Sequence, residues 1–221
     1  MIASMSRTAR WCLIGLLCIA PAIARHHPGR AQEGAAGQFD YYLLTLSWAP
    51  TYCLTHVEDR SECSGKGYGF VLHGLWPQFE SGGYPEHCAA ASDLSLEAEA
   101  VGRTVFPSLG LMRHEWQAHG TCSGLDAVTY FRTADRALAR VHIPAAFEAP
   151  ASTSRMTAAQ IAALFRAANP AIAESGMTVA CGRRGLSEVR LCVSRDLTFR
   201  SCGRGVRNSC PSSSVDVPAA R

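Results

Sequence analysis

No apolar run in this 221-residue chain is long enough to cross a bilayer, since a spanning helix takes about 20 such residues. That excludes a helical membrane anchor. No internal repeat is present, which excludes solenoid and propeller architectures, and no composition shift marks a linker between domains. Net charge is scarce too. Twenty-one basic residues face 18 acidic ones, a formal +3, so no global field draws in a polyanion. Any affinity for nucleic acid has to come from a local patch.

What is present begins at the N-terminus. Arg7 and Arg10 precede an apolar run over residues 11–20, and Ala22-Ile23-Ala24 follows, with small residues at 22 and 24 before a cleavage point. This pattern predicts a signal peptide over residues 1–24 and places the protein in a periplasm or outside the cell. Cys18 does not predict lipidation, because Leu17 before it is bulky. Removing this segment takes away Arg7, Arg10, Cys12 and Cys18, leaving 19 basic residues against 18 acidic and eight of ten cysteines. An even cysteine count in an exported chain points to disulfides rather than metal ligation. Eight cysteines allow about 105 pairings, and sequence alone does not choose among them. The remaining length suits one domain. The expected organisation is a flexible leader at 25–38, a single domain at 39–210 and a disordered tail at 211–221. Nothing requires an oligomer, so a monomer is expected.

Residues 41–48 are rich in aromatic and aliphatic side chains, as suits a central strand buried on both faces. A second strand over 69–72 is expected to deliver His73 to its end, where Gly74 turns the chain and Pro77 stops it. A polar loop lies between these strands. Helical patterns follow at 92–101, across the stretch 113–119, and at 127–140 and 157–168. Strand character returns at 177–181, 186–193 and 197–202. The predicted class is α+β, with a central, mainly antiparallel sheet packed against helices and stabilised by disulfides.

Two stretches carry the chemistry. The first runs Arg113-His114-Glu115-Trp116-Gln117-Ala118-His119-Gly120-Thr121-Cys122. At about 100° per residue, His114, Glu115, position 118 and His119 share an arc of roughly 140°, and Gly120 is a natural helix stop. Zinc ligation by a helical histidine pair needs a four-residue spacing. Here the spacing is five, so the rings diverge and no metal is expected. Proton transfer on an anionic substrate is the better use of these groups. The second stretch, Phe70-Val71-Leu72-His73-Gly74-Leu75-Trp76-Pro77-Gln78, carries another histidine out of an apolar run. Taken alone, His73 is equally a hydrogen-bonded core histidine and Trp76 a core residue.

Together the two stretches resemble the active-site segments of the ribonuclease T2 family, whose pattern is His-Gly-Leu-Trp-Pro followed by His-Glu-Trp-x-Lys-His-Gly-Thr-Cys. The first is matched in full, and the second everywhere except the lysine, where Ala118 stands. The resemblance extends over residues 41–210. It implies an endoribonuclease that needs no metal or other cofactor, acts on single-stranded RNA and leaves DNA uncut. By matching position, it implies His119 as general base, His73 as general acid, His114 as a phosphate-binding histidine and Glu115 as a support for the transition state. Trp76 and Tyr84 become candidate stacking surfaces for the base 5′ to the cut. Gln78 stands where some relatives carry an acidic residue that reads the base, and Pro107 and Ser108 where relatives build a second base pocket. The resemblance also implies a Cys88–Cys122 bridge, with Cys53–Cys63, Cys181–Cys210 and Cys192–Cys202 as the remaining pairs. Ala118 is the departure. Loss of the lysine removes a cation from the phosphoryl group, so the alternative is a weakened relative that binds RNA or a partner without cutting. Arg113 is roughly 140° around the helix from position 118, a poor substitute. An arginine from the C-terminal section, which holds Arg183, Arg184, Arg190, Arg195, Arg200, Arg204 and Arg207, is another source of charge. That cluster reads either as solvated strand edges or as a track for RNA phosphates.

Overall fold

The computed structural model describes residues 31–32, 34–90 and 93–220; the predicted signal segment lies outside them. In chain order the elements are β1 (Ala31–Gln32), β2 (Tyr41–Trp48), α1 (Ala49–Cys53), α2 (Arg60–Cys63), β3 (Phe70–Gln78) and β4 (Tyr84–Pro85). They continue with α3 (Leu96–Gly102), α4 (Leu109–Ala118), α5 (Ala127–Leu138), β5 (Ser154–Met156), α6 (Ala158–Ala168), β6 (Met177–Gly182), β7 (Gly185–Val193) and β8 (Val215–Val217). The main sheet has the order β3-β2-β7-β6, antiparallel throughout. The α+β expectation holds.

β2 is central and buried on both faces, as its composition predicts. Alternation sends Tyr42, Leu44, Leu46 and Trp48 to one face, where Tyr130 and Phe131 of α5 and Ile161 and Phe165 of α6 close the main core. Tyr41 and Leu43 face the other way, against Cys192, Trp76 and Val206. Helix starts follow local chemistry. Ser95, Ser108 and Asp126 each accept a hydrogen bond from the backbone N–H three residues on, and Thr157 with Gln160 forms a capping box. Among the described residues no helix is long and apolar enough to cross a membrane.

Several expectations are corrected. β3 does not stop at Leu72. It runs to Gln78, and Pro77 is tolerated because β3 is an edge strand, where a missing N–H costs little. Residues 197–202 form no strand beyond a bridge between Val193 and Phe199. Leu197 there turns with φ of 66°, and the Cys192–Cys202 bridge folds the segment back. The tail at 211–221 is not disordered where it is described. Val215 and Val217 alternate with Asp216, the period-two pattern of a strand, and β8 pairs with β5 while Val217 is 1% exposed. Nor is the leader loose near its end. Ala31–Gln32 pairs in parallel with Tyr84–Pro85, and the Gly37 N–H donates to the Cys122 carbonyl at 2.9 Å. The disulfides are Cys53–Cys63, Cys88–Cys122, Cys181–Cys210 and Cys192–Cys202, the pairing that the family resemblance implies.

Glu62 of α2 is only 5% exposed, and its Oε1 has no hydrogen-bond partner. Burial, reinforced by the charge of Asp59, raises its pKa from 4.5 to about 7. The folded protein therefore holds a proton that the unfolded chain has released, and stability falls as pH rises through that interval. Glu62→Gln removes this cost. Thermal melts are expected to show the variant a few degrees more stable than the parent at pH 8, with the difference vanishing near pH 4.

Candidate active site

His73 owes its position to a break in strand register. Thr45 pairs with Gly74 and Leu46 with Leu72, so His73 is an extra residue opposite no partner. Such a bulge re-aims the side chains around it. Leu72 and Leu75 both enter the main core, opposite Leu46 and Leu44. The two residues between them, His73 and Gly74, are thereby left to the face that carries Trp76.

Gly74 is needed for a second reason. A Cβ there would lie 2.0 Å from Glu115 Oε2 and 2.2 Å from Trp76 Nε1, the atoms of a short hydrogen bond. Trp76 Nε1 donates to Glu115 Oε2 at 2.6 Å. Glu115 is 1% exposed, and burial raises its pKa to about 7 against the opposing pull of His73 and Trp76. Its other oxygen, Oε1, has no hydrogen-bond partner and lies 3.7 Å from His73 Nε2. An acceptor is thus held ready beside the imidazole.

The ionisable face expected of α4 is only partly realised. The helix ends at Ala118, and His119 caps it with φ −120° and ψ −41°. His119 is buried, and its ring lies 5.1 Å from the Trp76 indole and 6.0 Å from Tyr84. Burial first, then the charges of His114, His73 and His87, lower its pKa to about 3. It is a neutral imidazole at ordinary pH. His73 also neighbours Trp76, with centroids 5.1 Å apart and planes at 77°. Its Nδ1 is 2.7 Å from Glu188 Oε1. Burial works to lower the His73 pKa, but the Glu188 hydrogen bond and the charges of Glu115 and Glu188 outweigh it, so the net shift is upward. The two imidazoles are therefore biased toward opposite protonation states, as a general base and a general acid require.

His114 is exposed and lines, with His73, Glu188 and Ser108, a cavity of about 590 Å³. Ser108 also caps α4 through Oγ. Pro107 precedes it, half-buried. Gln78 is buried with its amide donating to the Pro77 carbonyl, which turns it toward backbone rather than toward a ligand. The Cys88–Cys122 bridge and a hydrogen bond from the His87 N–H to the Ala118 carbonyl hold the Tyr84 loop against the end of α4. Among the described residues no group of three His, Cys, Asp or Glu side chains could hold a metal ion.

Sequence reasoning missed Glu188 as a site residue and offered Arg190 only as one of the C-terminal arginines. Arg190 Nε donates to Glu188 Oε2 at 2.8 Å, and its guanidinium lies 5.7 Å from the Trp76 ring. A signal was available. In β7, Val189, Leu191 and Val193 alternate with Glu188, Arg190 and Cys192, so a strand that buries the first set presents both charged residues on one face.

Comparison with known proteins follows from this geometry. A ribonuclease from Aeromonas hydrophila is 51% identical over 94 residues, 42% of each chain. The chain spans less than two thirds of the length of the curated relatives it first matches. Among solved structures, an RNase-related protein from Calystegia sepium superposes with a TM-score of 0.67 at 24% identity, covering 83% of this chain and 98% of that one. RNase NT, solved in complex with 5′-AMP, gives a TM-score of 0.54 at 25% identity over 77% and 98% of the two chains. The model of the Ribonuclease T2 family matches residues 39–202, which span the bulged histidine, the buried glutamate and the helix-capping histidine, and on that match the chain belongs to the Ribonuclease T2 family.

Proposed function

We propose that the protein is an exported endoribonuclease that cleaves single-stranded RNA by transphosphorylation, as a monomer and without a metal. The observation that carries this reading is the pair of imidazoles biased toward opposite protonation, each with its ring centroid 5.1 Å from that of Trp76, beside a buried carboxylate that bonds the indole and lies 3.7 Å from His73. Neutral His119 takes the proton of the ribose 2′-hydroxyl as its oxygen attacks phosphorus. The bond from phosphorus to the 5′-oxygen breaks, and protonated His73 delivers a proton to that leaving oxygen. The product is a 2′,3′-cyclic phosphate. Water, entering with the two histidines in exchanged roles, opens it to a 3′-phosphate. His114 contacts the phosphate, and Glu115 Oε1 accepts a hydrogen bond at the reacting centre. Trp76 and Tyr84 offer stacking faces that tolerate any base. That RNase NT has been solved with 5′-AMP supports nucleotide binding on this fold. DNA lacks the attacking hydroxyl and stays intact.

Purified protein incubated with single-stranded RNA and a chelator is expected to release cyclic-phosphate ends, with substitution of His73 or His119 by Asn lowering kcat about 10²–10⁴-fold. RNA bound but not cut by the parent protein would instead establish a binding relative weakened at Ala118. The rate is expected to follow neutral His119 and protonated His73. It declines on the acid side as Glu115 takes up its proton near pH 7 and again as His119 does near pH 3, and on the alkaline side as pH passes the raised pKa of His73. Glu188→Gln removes the carboxylate charge that helps raise that pKa, so the alkaline limb of the kcat profile shifts to lower pH. Gly74→Ala forces Glu115 and Trp76 apart. Steady-state assays are expected to show kcat reduced at least about tenfold, with overpacking costing about 1–3 kcal/mol of stability in denaturant melts.

A further inference from the structure

A charge inventory of the site leaves a question open. Around His73 lie two carboxylates, Glu115 and Glu188, at 3.7 and 2.7 Å. Protonated His73 is therefore faced by more negative than positive charge, and His119 is neutral. A phosphoryl group gaining negative charge in the transition state needs a cation fixed in place beforehand. Position 118 offers none. Ala118 is fully buried, and its carbonyl is already occupied by the His87 N–H.

Most other cations are committed elsewhere or loosely held. Arg113 pairs with Glu99, Arg200 with Glu80, and Arg195 lies over Phe39. Lys66, the chain's one lysine, sits in an exposed loop between Gly65 and Gly67, both with positive φ. Arg183 and Arg184 line the cavity but are exposed in the turn between β6 and β7.

Arg190 is different. The register puts it opposite Thr45, whose other neighbour is Gly74 beside the bulge. Its Nε and one terminal nitrogen engage Glu188 Oε2, and its guanidinium lies over the Trp76 indole at 5.7 Å. The side chain is 31% exposed, so it is anchored at one edge and open to solvent at the rest. A guanidinium has five donors, and the contacts to Glu188 leave donors for an incoming phosphate.

We propose that Arg190, held by Glu188 over Trp76, is the cation that binds the scissile phosphoryl oxygens, in place of a charge at position 118. The role in catalysis rests on the nuclease reading above; the phosphate contact does not. Arg190 supplies a second positive charge beside His73, and Glu188 joins the charge-bearing side chain to the proton-donating one through a single carboxylate.

The test compares the parent with Arg190→Gln, Arg190→Lys and Arg190→Ala by dinucleotide cleavage, by inorganic phosphate binding followed on the His73 resonances, and by thermal melting. Arg190→Gln is expected to lower kcat about 10²–10³-fold with a small change in KM, and to weaken phosphate binding at least tenfold. Arg190→Lys should recover part of both, since an ammonium keeps the charge and loses the fork. Free guanidinium should raise the rate of Arg190→Ala but not of the parent, which a merely structural role would not produce. Ala118→Lys in the parent should leave the rate flat or lower it. The assignment is overturned if Arg190→Gln cleaves within threefold of the parent and binds phosphate as well. It is also overturned if neither lysine nor guanidinium restores anything. A parent that binds phosphate through Arg190 yet never cuts RNA would sink the nuclease reading and leave this contact standing.

Discussion

A carboxylate with 1% exposure in a protein interior is expensive unless its oxygens are engaged, and the site is assembled around meeting that demand at Glu115. One oxygen takes the Trp76 N–H; the other faces His73. The arrangement is possible only because Gly74 presents no side chain, and because α4 and β3 are brought together closely enough for the contact to form. Loosen any of these and the two histidine stretches lose their common reference point.

The same constraint explains how two histidines in one small site acquire different chemistry. Both rings neighbour Trp76, and each imidazole is read by a different environment. His119 is buried with Nδ1 unpartnered and with only positive neighbours acting on it, so it stays neutral. His73 has a carboxylate on Nδ1 and another near Nε2, so it holds its proton. Burial pushes both the same way; the neighbouring charges separate them.

The weak net charge of the chain is consistent with this economy. The C-terminal arginines do not form one continuous track. Arg200 is tied to Glu80 and Arg195 to the Phe39 ring, while Arg183 and Arg184 stand at the cavity and Arg190 enters the site itself. Local placement of positive charge substitutes for a field that the sequence lacks.

Much of this was written in the linear order of residues. The two histidine stretches, the central strand at Tyr41–Trp48, the helix caps and the disulfide-bonded character could be read from patterns within a few residues of each other, or from likeness to a family. Local pattern also shows why the tail was misjudged: Val215 and Val217 look unremarkable until a strand edge at Ser154–Met156 is there to receive them. What no window of sequence contains is which residues of β7 stand beside His73. That depends on a register between strands more than a hundred residues apart, and on one extra residue in β3. Residue order determined the two histidines and the carboxylate. Only the folded sheet decided that Glu188 and Arg190 join them, because pairing across strands is set by packing over the whole core rather than by neighbours along the chain.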